Sequence, residues 1–237
     1  MSLEERLDRR QDILHTVHAL AAEFAKTYPI RDARNEFPYE EVARLKTNGL
    51  LTLSIPEAYG GLELPFRDLV ECVLTLATGN PSVAQVFLVH CVGALYVTEL
   101  VPEAQRRVIL QAVTARNVFL GNAVSERYSK SKYELDTVFL PKPDKQGVRI
   151  RGKKFFSTGS LASDLIMVVG TLNNSMAVAF VPRDTEGLHI RDDWRAMGQR
   201  GTASGTTEFQ DAFVGWDMVV PGVDGGGGMS PASLLGP

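Results

Sequence analysis

Apolar residues change their period once along this chain, and the change divides it into two halves. Over residues 3–28, Leu7, Leu14, Val17, Ala21 and Phe24 recur at three- and four-residue steps among charged neighbours, which predicts an amphipathic helix. Pro38 opens a second, shorter helix through Val42, Leu45 and Lys46, and Gly49 stops it, since glycine takes the left-handed conformation of a helix end without strain. Residues 66–78 predict a third helix ending at Gly79. Asn80-Pro81-Ser82 then supplies a start signal for a long fourth, whose buried stripe is Val83, Val86, Phe87, Cys91 and Ala94. A fifth is expected over 102–114. Between the second and third lies a polar turn, Ser54-Ile55-Pro56-Glu57-Ala58-Tyr59-Gly60-Gly61-Leu62-Glu63-Leu64, whose paired glycines mark a corner where a side chain would clash or φ must be positive.

Beyond Asn117 the pattern turns to short apolar runs rich in Val, Ile, Phe and Thr, separated by Gly, Asn, Asp and Pro. Residues 148–156 follow Asp144-Lys145-Gln146-Gly147, predicting a hairpin with 136–140. A second hairpin is predicted for 165–171 and 176–181 around Asn173-Asn174, and 206–214 gives a further strand continuing through 216–220. No helices intervene to carry crossovers, which favours antiparallel pairing. The expected fold is therefore α+β: an all-helical domain over 1–115, a small antiparallel β-barrel or sandwich over 116–220, and a Gly-rich linker over 221–237 that includes Gly225 to Gly228.

Composition narrows the class. The 237 residues are 44% hydrophobic and 22% charged, the balance of a globular chain. A net charge of -3 gives no general attraction for nucleic acid. Met1 to Arg10 is densely charged and lacks the apolar stretch of a secretion signal, and no uninterrupted apolar run is long enough to span a bilayer, so no membrane partner is expected. Only Cys72 and Cys91 are present, in a chain too large to need disulfide staples, which fits a reducing cytoplasm. His15 and His18 sit three apart on a charged helix and read as a solvated face, so no metal site is expected.

Four motifs in order carry the chemistry. Pro56-Glu57-Ala58-Tyr59-Gly60-Gly61 resembles the Pro-Glu-x-Tyr-Gly-Gly turn of the acyl-CoA dehydrogenase superfamily, and the helical half followed by a β half is that family's order. Phe119-Leu120-Gly121-Asn122-Ala123-Val124-Ser125-Glu126 is similar to its first flavin-contacting β segment. Lys153-Lys154-Phe155-Phe156-Ser157-Thr158-Gly159 resembles its Lys-x-Trp/Phe-Ile-Thr-Asn/Ser-Gly strand, and Met197-Gly198-Gln199-Arg200-Gly201-Thr202-Ala203-Ser204 its Gly-x-Arg-x-Ser/Thr segment. Where the dehydrogenases continue with Pro and then Gly-Ser-Asp, this chain has Arg127-Tyr128-Ser129-Lys130-Ser131. That departure, with Asn122, is similar to the dibenzothiophene monooxygenase subgroup.

The resemblance implies a flavin-dependent oxidoreductase of small sulfur- or nitrogen-containing compounds, using FMN reduced by a separate flavin reductase. FAD-dependent acyl-CoA dehydrogenase activity and a non-catalytic scaffold stay open as alternatives. The flavin itself carries the redox chemistry, so the protein's part is a dry wall of fixed hydrogen-bonding groups. By resemblance that wall is Asn122, Ser125, Phe156, Ser157, Thr158 and Arg200, with Phe156 shielding a ring face and Thr158 at the N5 or O4 edge. Arg200 also reads as a structural salt bridge, Ser125-Glu126 as a strand end with a solvated carboxylate, and Trp194 as packing or a ring contact. His90 lies on the apolar stripe of the fourth helix. It reads either as a core histidine with one hydrogen bond or as a catalytic residue donating a proton to substrate or bound peroxide, with Asn122 the second catalytic candidate through its amide donor and carbonyl acceptor. The resemblance further implies a third, carboxy-terminal helical domain that completes the flavin site and builds a homotetramer; without it, these residues are expected to bind flavin weakly and turn over poorly.

Overall fold

A computed structural model of the chain describes residues 3–127, 135–144 and 146–222. Helices come first: α1 (Leu3–Phe24), α2 (Tyr28–Arg34), α3 (Tyr39–Thr47), α4 (Phe66–Gly79), α5 (Pro81–Leu100) and α6 (Glu103–Arg116). The first predicted helix ends at Phe24, short of the expected residue 28, and α2 was not predicted; Pro29 sits in its first turn, where its missing N–H is not needed. At the start of α5 the Asn80 side chain accepts the Val83 N–H at 3.1 Å, as its sequence signal predicts.

Helix α5 is the shared wall of two cores. Val83, Phe87 and Cys91 pack with Ile13, Val17, Leu20 and Phe24 of α1 and Leu69, Cys72 and Leu76 of α4. Its other side, through Val86, Ala94, Tyr96 and Val97, meets α6 and the residues Phe119, Leu120, Leu165 and Phe180 that begin the β half. A helix in that position is apolar all round. By length and composition α5 is apolar enough to cross a membrane, yet 56% of its most apolar window is buried in these cores.

The glycine turn braces this helical half. Gly60 takes φ 85°, and a Cβ on Gly61 would stand 2.0 Å from the Ile55 carbonyl oxygen, so both reasons for glycine apply. Thr114 Oγ1 of α6 donates to the Tyr59 carbonyl at 2.9 Å, and Tyr59 Oη donates to Glu103 at 2.7 Å. The motif therefore fastens the loop to α6.

The β half is one eight-stranded, antiparallel-rich sheet. Its strands are β1 (Leu120–Ala123), β2 (Val138–Pro141), β3 (Gly147–Lys154), β4 (Leu165–Leu172), β5 (Ser175–Pro182), β6 (Leu188–Ile190), β7 (Thr207–Gly215) and β8 (Val219–Val220), in the order β6-β7-β3-β2-β4-β5-β8 with β1 beside β4. Both predicted hairpins form, β2 with β3 and β4 with β5. Two pairings are parallel, against the purely antiparallel expectation: β1 lies beside residues 165–168 of β4, and β2 meets β4 at Val138 and Thr171. The intervening β2–β3 hairpin and the turn after it bring the chain back to the same edge, so no helix is required for the crossover. A short 3-10 turn, Trp216–Met218, also interrupts what was expected to be one continuous strand. Alternation along β4 sends Ile166 and Val168 into the sheet's own core and Leu165 and Met167 toward α5. The Gly-rich 225–228 stretch and Tyr128 to Ser131 lie outside the described residues.

Candidate functional site

Strand β1 is held over α5 by a histidine. His90 is fully buried; its Nδ1 accepts the Leu120 N–H at 3.0 Å, and its Nε2 lies 2.8 Å from the Leu51 carbonyl oxygen. An imidazole that accepts at Nδ1 must carry its proton at Nε2, so it donates to Leu51 as the neutral tautomer. Its ring stacks on Phe119 at 5.0 Å, and burial pushes its pKa down to about 4. Both ring nitrogens are therefore committed to backbone groups on either side of α5. The catalytic assignment required one of them to be available to a ligand.

The residue after Leu120 explains how the next segment comes under β1. A Cβ on Gly121 would stand 2.8 Å from Ser163 Cβ and 3.3 Å from Ser160 Cα, so the 157–163 turn sits directly against the strand. Asn122 follows, on the same side of β1 as Leu120. Its Oδ1 is buried and has no hydrogen-bond partner among the described residues. Ser125, exposed, forms an antiparallel bridge with Phe155, whose N–H donates to the Ser125 carbonyl at 2.8 Å.

Glu126 is no solvated carboxylate. Its side chain is 3% exposed and receives the fully buried Lys154 ammonium at 2.6 Å, the Asp136 N–H at 2.6 Å and the Thr137 N–H at 3.0 Å. Burial alone would raise this carboxyl, but Lys154 and the two backbone donors outweigh it and hold Glu126 below its usual range. Burial likewise lowers Lys154, with Glu126 opposing. Lys154 Nζ also donates to the Val124 carbonyl at 3.1 Å, so the pair ties β1's continuation to the end of β3 and to the start of β2. This residue was missed as a site element, although it stands inside the quoted 153–159 motif.

After β3 the backbone turns sharply. Phe156 has φ 56°, a left-handed value that β-carbon-bearing residues avoid; the residue is 58% exposed, and its ring meets Trp194 edge-on at 5.9 Å. Ser157 is wholly buried, and its hydroxyl has no partner among the described residues. Thr158 Oγ1 lies 2.7 Å from Ser204 Oγ, which lies 2.8 Å from Thr202 Oγ1, which donates to the Gln199 carbonyl at 3.0 Å. The Ser157 N–H donates to the Gly205 carbonyl at 3.1 Å, so the 199–205 segment closes one end of the wall. Arg200 bonds within its own loop and to α2: its Nε donates to the Ala196 carbonyl at 3.0 Å, and its backbone N–H donates to Asp32 at 3.1 Å. Asn122, Ser125, Phe156 and Thr158 thus stand on adjoining segments, whereas His90 ties β1 to the Leu51 backbone and Arg200 ties the 199–205 segment to α2.

Residues 8–117 match the family model described as acyl-CoA dehydrogenase, N-terminal domain, and residues 122–212 match the one described as acyl-CoA dehydrogenase, middle domain. This chain belongs to the acyl-CoA dehydrogenase superfamily. Within that superfamily it is 30% identical to dibenzothiophene monooxygenase of Mycolicibacterium goodii, over 90% of this chain and 52% of that protein. It is 29% identical to a probable FMNH2-dependent monooxygenase, SfnC, of Pseudomonas putida, over 81% of this chain and 47% of that one. The FMN-bound crystal structure of TdsC from Paenibacillus sp. A11-2 superposes with TM-score 0.83 at 27% identity, covering 89% of this chain and 54% of that chain. The chain spans about half the length of these superfamily relatives.

Proposed function

We propose that this chain carries the helical and β portions of an FMNH2-dependent monooxygenase component that oxygenates a small sulfur- or nitrogen-containing organic compound. The observation that carries this reading is the Phe156 turn: a strained residue holds an aromatic ring open to solvent beside Thr158, on segments adjoining the one that bears the orphaned Asn122 Oδ1. A flat heteroaromatic ring with polar edge atoms fits such a wall, because Phe156 and Trp194 offer stacking surface while Asn122 and Thr158 offer hydrogen-bonding atoms. The superfamily assignment and the FMN named for two relatives favour flavin as that ring, with FMN preferred over FAD.

Reduced flavin, when bound, supplies the electrons that activate dioxygen. The chain's own residues would hold and shield it: Phe156 against a ring face, Thr158 and Asn122 at its polar edge, and Ser125 alongside through the bridge to Phe155. Ser157 and Arg200 would act through the backbone of the wall, and His90 by fixing β1 on α5 rather than by moving a proton. Lys154 and Glu126 hold the Ser125 strand in register without facing the ligand. A flavin reductase would supply the reduced cofactor. Equilibrium titration of the chain with FMN and FAD, together with reductase-coupled oxygen uptake in the presence of thioethers and aromatic amines, tests the proposal. Weak but saturable FMN binding, weakened further by Phe156→Ala, is expected; absence of flavin binding would refute it.

A further inference from the structure

The hydroxyl chain Thr158–Ser204–Thr202 has a direction, and the direction selects what its open end can bind. Each hydroxyl has one hydrogen to donate. Thr202 gives its hydrogen to the Gln199 carbonyl, which can only accept, so the Thr202 oxygen accepts from Ser204. Ser204 has then used its single hydrogen and must accept from Thr158. Thr158, the last member, is left with its hydrogen turned inward and only lone pairs for a ligand. These three side chains are 8%, 7% and 2% exposed in the order Thr158, Ser204, Thr202, so water offers them little alternative. The unpartnered Asn122 Oδ1 is a second acceptor on an adjoining segment.

We propose that Ser204 and Thr202 are positioning residues that make Thr158 an obligate hydrogen-bond acceptor, so that the site prefers a ring bearing an N–H donor to one bearing a bare ring nitrogen. Resting on the flavin reading above, this means preference for the reduced cofactor, whose N5 carries hydrogen, over the oxidised form, whose N5 is an acceptor. An acceptor facing an acceptor loses a hydrogen bond and adds repulsion, for which about tenfold in affinity is the ordinary scale. A tenfold preference also raises the bound two-electron potential by about 30 mV.

The test is the ratio of dissociation constants for oxidised and chemically reduced FMN, measured anaerobically on the full 237-residue chain. In the unaltered chain the reduced form binds more tightly. Ser204→Ala frees the Thr158 hydrogen to turn outward, and Thr202→Val lets Ser204 donate back to Thr158 with the same result. Both variants are expected to cut the ratio by about tenfold, while Thr202→Ser, which keeps the chain of donors, preserves it. General damage to the fold weakens both redox forms together and leaves the ratio unchanged. If FMN binds and neither Ser204→Ala nor Thr202→Val moves the ratio, the inference is overturned and the flavin reading survives. If neither redox form binds the unaltered chain, the flavin reading falls and takes the inference with it.

Discussion

Protonation of His90 offers a way to unfasten β1 from α5 with pH alone. In the folded chain burial holds this imidazole at about 4 against an ordinary 6.5, so between those values the unfolded chain binds a proton that the folded chain refuses. Stability contributed by the neutral ring is therefore complete above pH 6.5 and is lost as the pH falls toward 4. Each unit of difference corresponds to about 1.4 kcal/mol, giving roughly 3 kcal/mol over the whole window and about 2 kcal/mol by pH 5. The structural reason is specific: a second ring proton at Nδ1 would face the Leu120 N–H donor at 3.0 Å, replacing a hydrogen bond by a repulsion.

Urea unfolding at about pH 7.5 and about pH 5 measures the loss directly, and the upper part of the window keeps carboxylate titration small. The other three histidines, His15, His18 and His189, lie on the surface. His90→Gln can still donate to Leu51 and accept from Leu120 but cannot titrate, so its stability should change far less over the same interval. Nitrogen-15 spectra of the ring supply the microscopic check, with the Nε2–H tautomer expected at neutral pH. Equal stability of the unaltered chain at both pH values, or an Nδ1–H tautomer, would refute the reasoning.

Three further outcomes follow from single contacts. Lys154→Met leaves the Glu126 carboxylate buried without its cation and should cost about 3–5 kcal/mol in urea unfolding, whereas Glu126→Gln, which keeps an acceptor, should cost less; a loss near zero for Lys154→Met would mean that the pair is not buried in solution. Gly61→Ala forces a Cβ against the Ile55 carbonyl oxygen and should cost about 1–3 kcal/mol, read as a fall in the unfolding midpoint. Phe156→Gly and Phe156→Ala should weaken FMN binding alike, yet glycine should be the more stable by about 1 kcal/mol because only alanine retains the left-handed strain; equal stabilities would show that the strain is absent.

What was legible in the sequence was carried by residues whose own chemistry sets their conformation. Asn173 and Asn174 take φ 51° and 64° at the tip of the β4–β5 hairpin, the values that asparagine tolerates and that the tight turn needs. Asn80 caps α5, and the glycine pair turns the 54–64 loop. Three of the four motifs, over 119–126, 153–159 and 197–204, fall on segments that the fold brings together. Partnerships set by tertiary contact were not legible. Lys154 and Glu126 are 28 residues apart, and His90 finds the backbone of Leu51 and Leu120, groups that every residue carries and no letter marks. Parallel pairing of β1 with β4 escaped because the rule that such strands need a helical crossover does not hold when a hairpin makes the return.

Local disagreement between sequence and backbone is itself informative here. Among the described residues, nine that carry a β-carbon have positive φ, and four of these are asparagines, for which the conformation is cheap. Of the other five, Phe156, Gln199 and Ala203 all belong to the wall: one presents the exposed ring, one supplies the carbonyl that ends the hydroxyl chain, and one lies between Thr202 and Ser204. Each costs about 1–2 kcal/mol relative to an ordinary conformation, a sum that a fold under selection for stability alone would shed by substituting glycine. The strain persists because the surroundings over-determine it, with Gly205 tied to Ser157, Arg200 to Asp32 and Phe155 to Ser125. A wall held rigid at this expense orients hydrogen-bonding atoms before a ligand arrives. On the proposal above, such preorganisation would let the wall distinguish two redox forms of one ring, a property that a packing surface does not need.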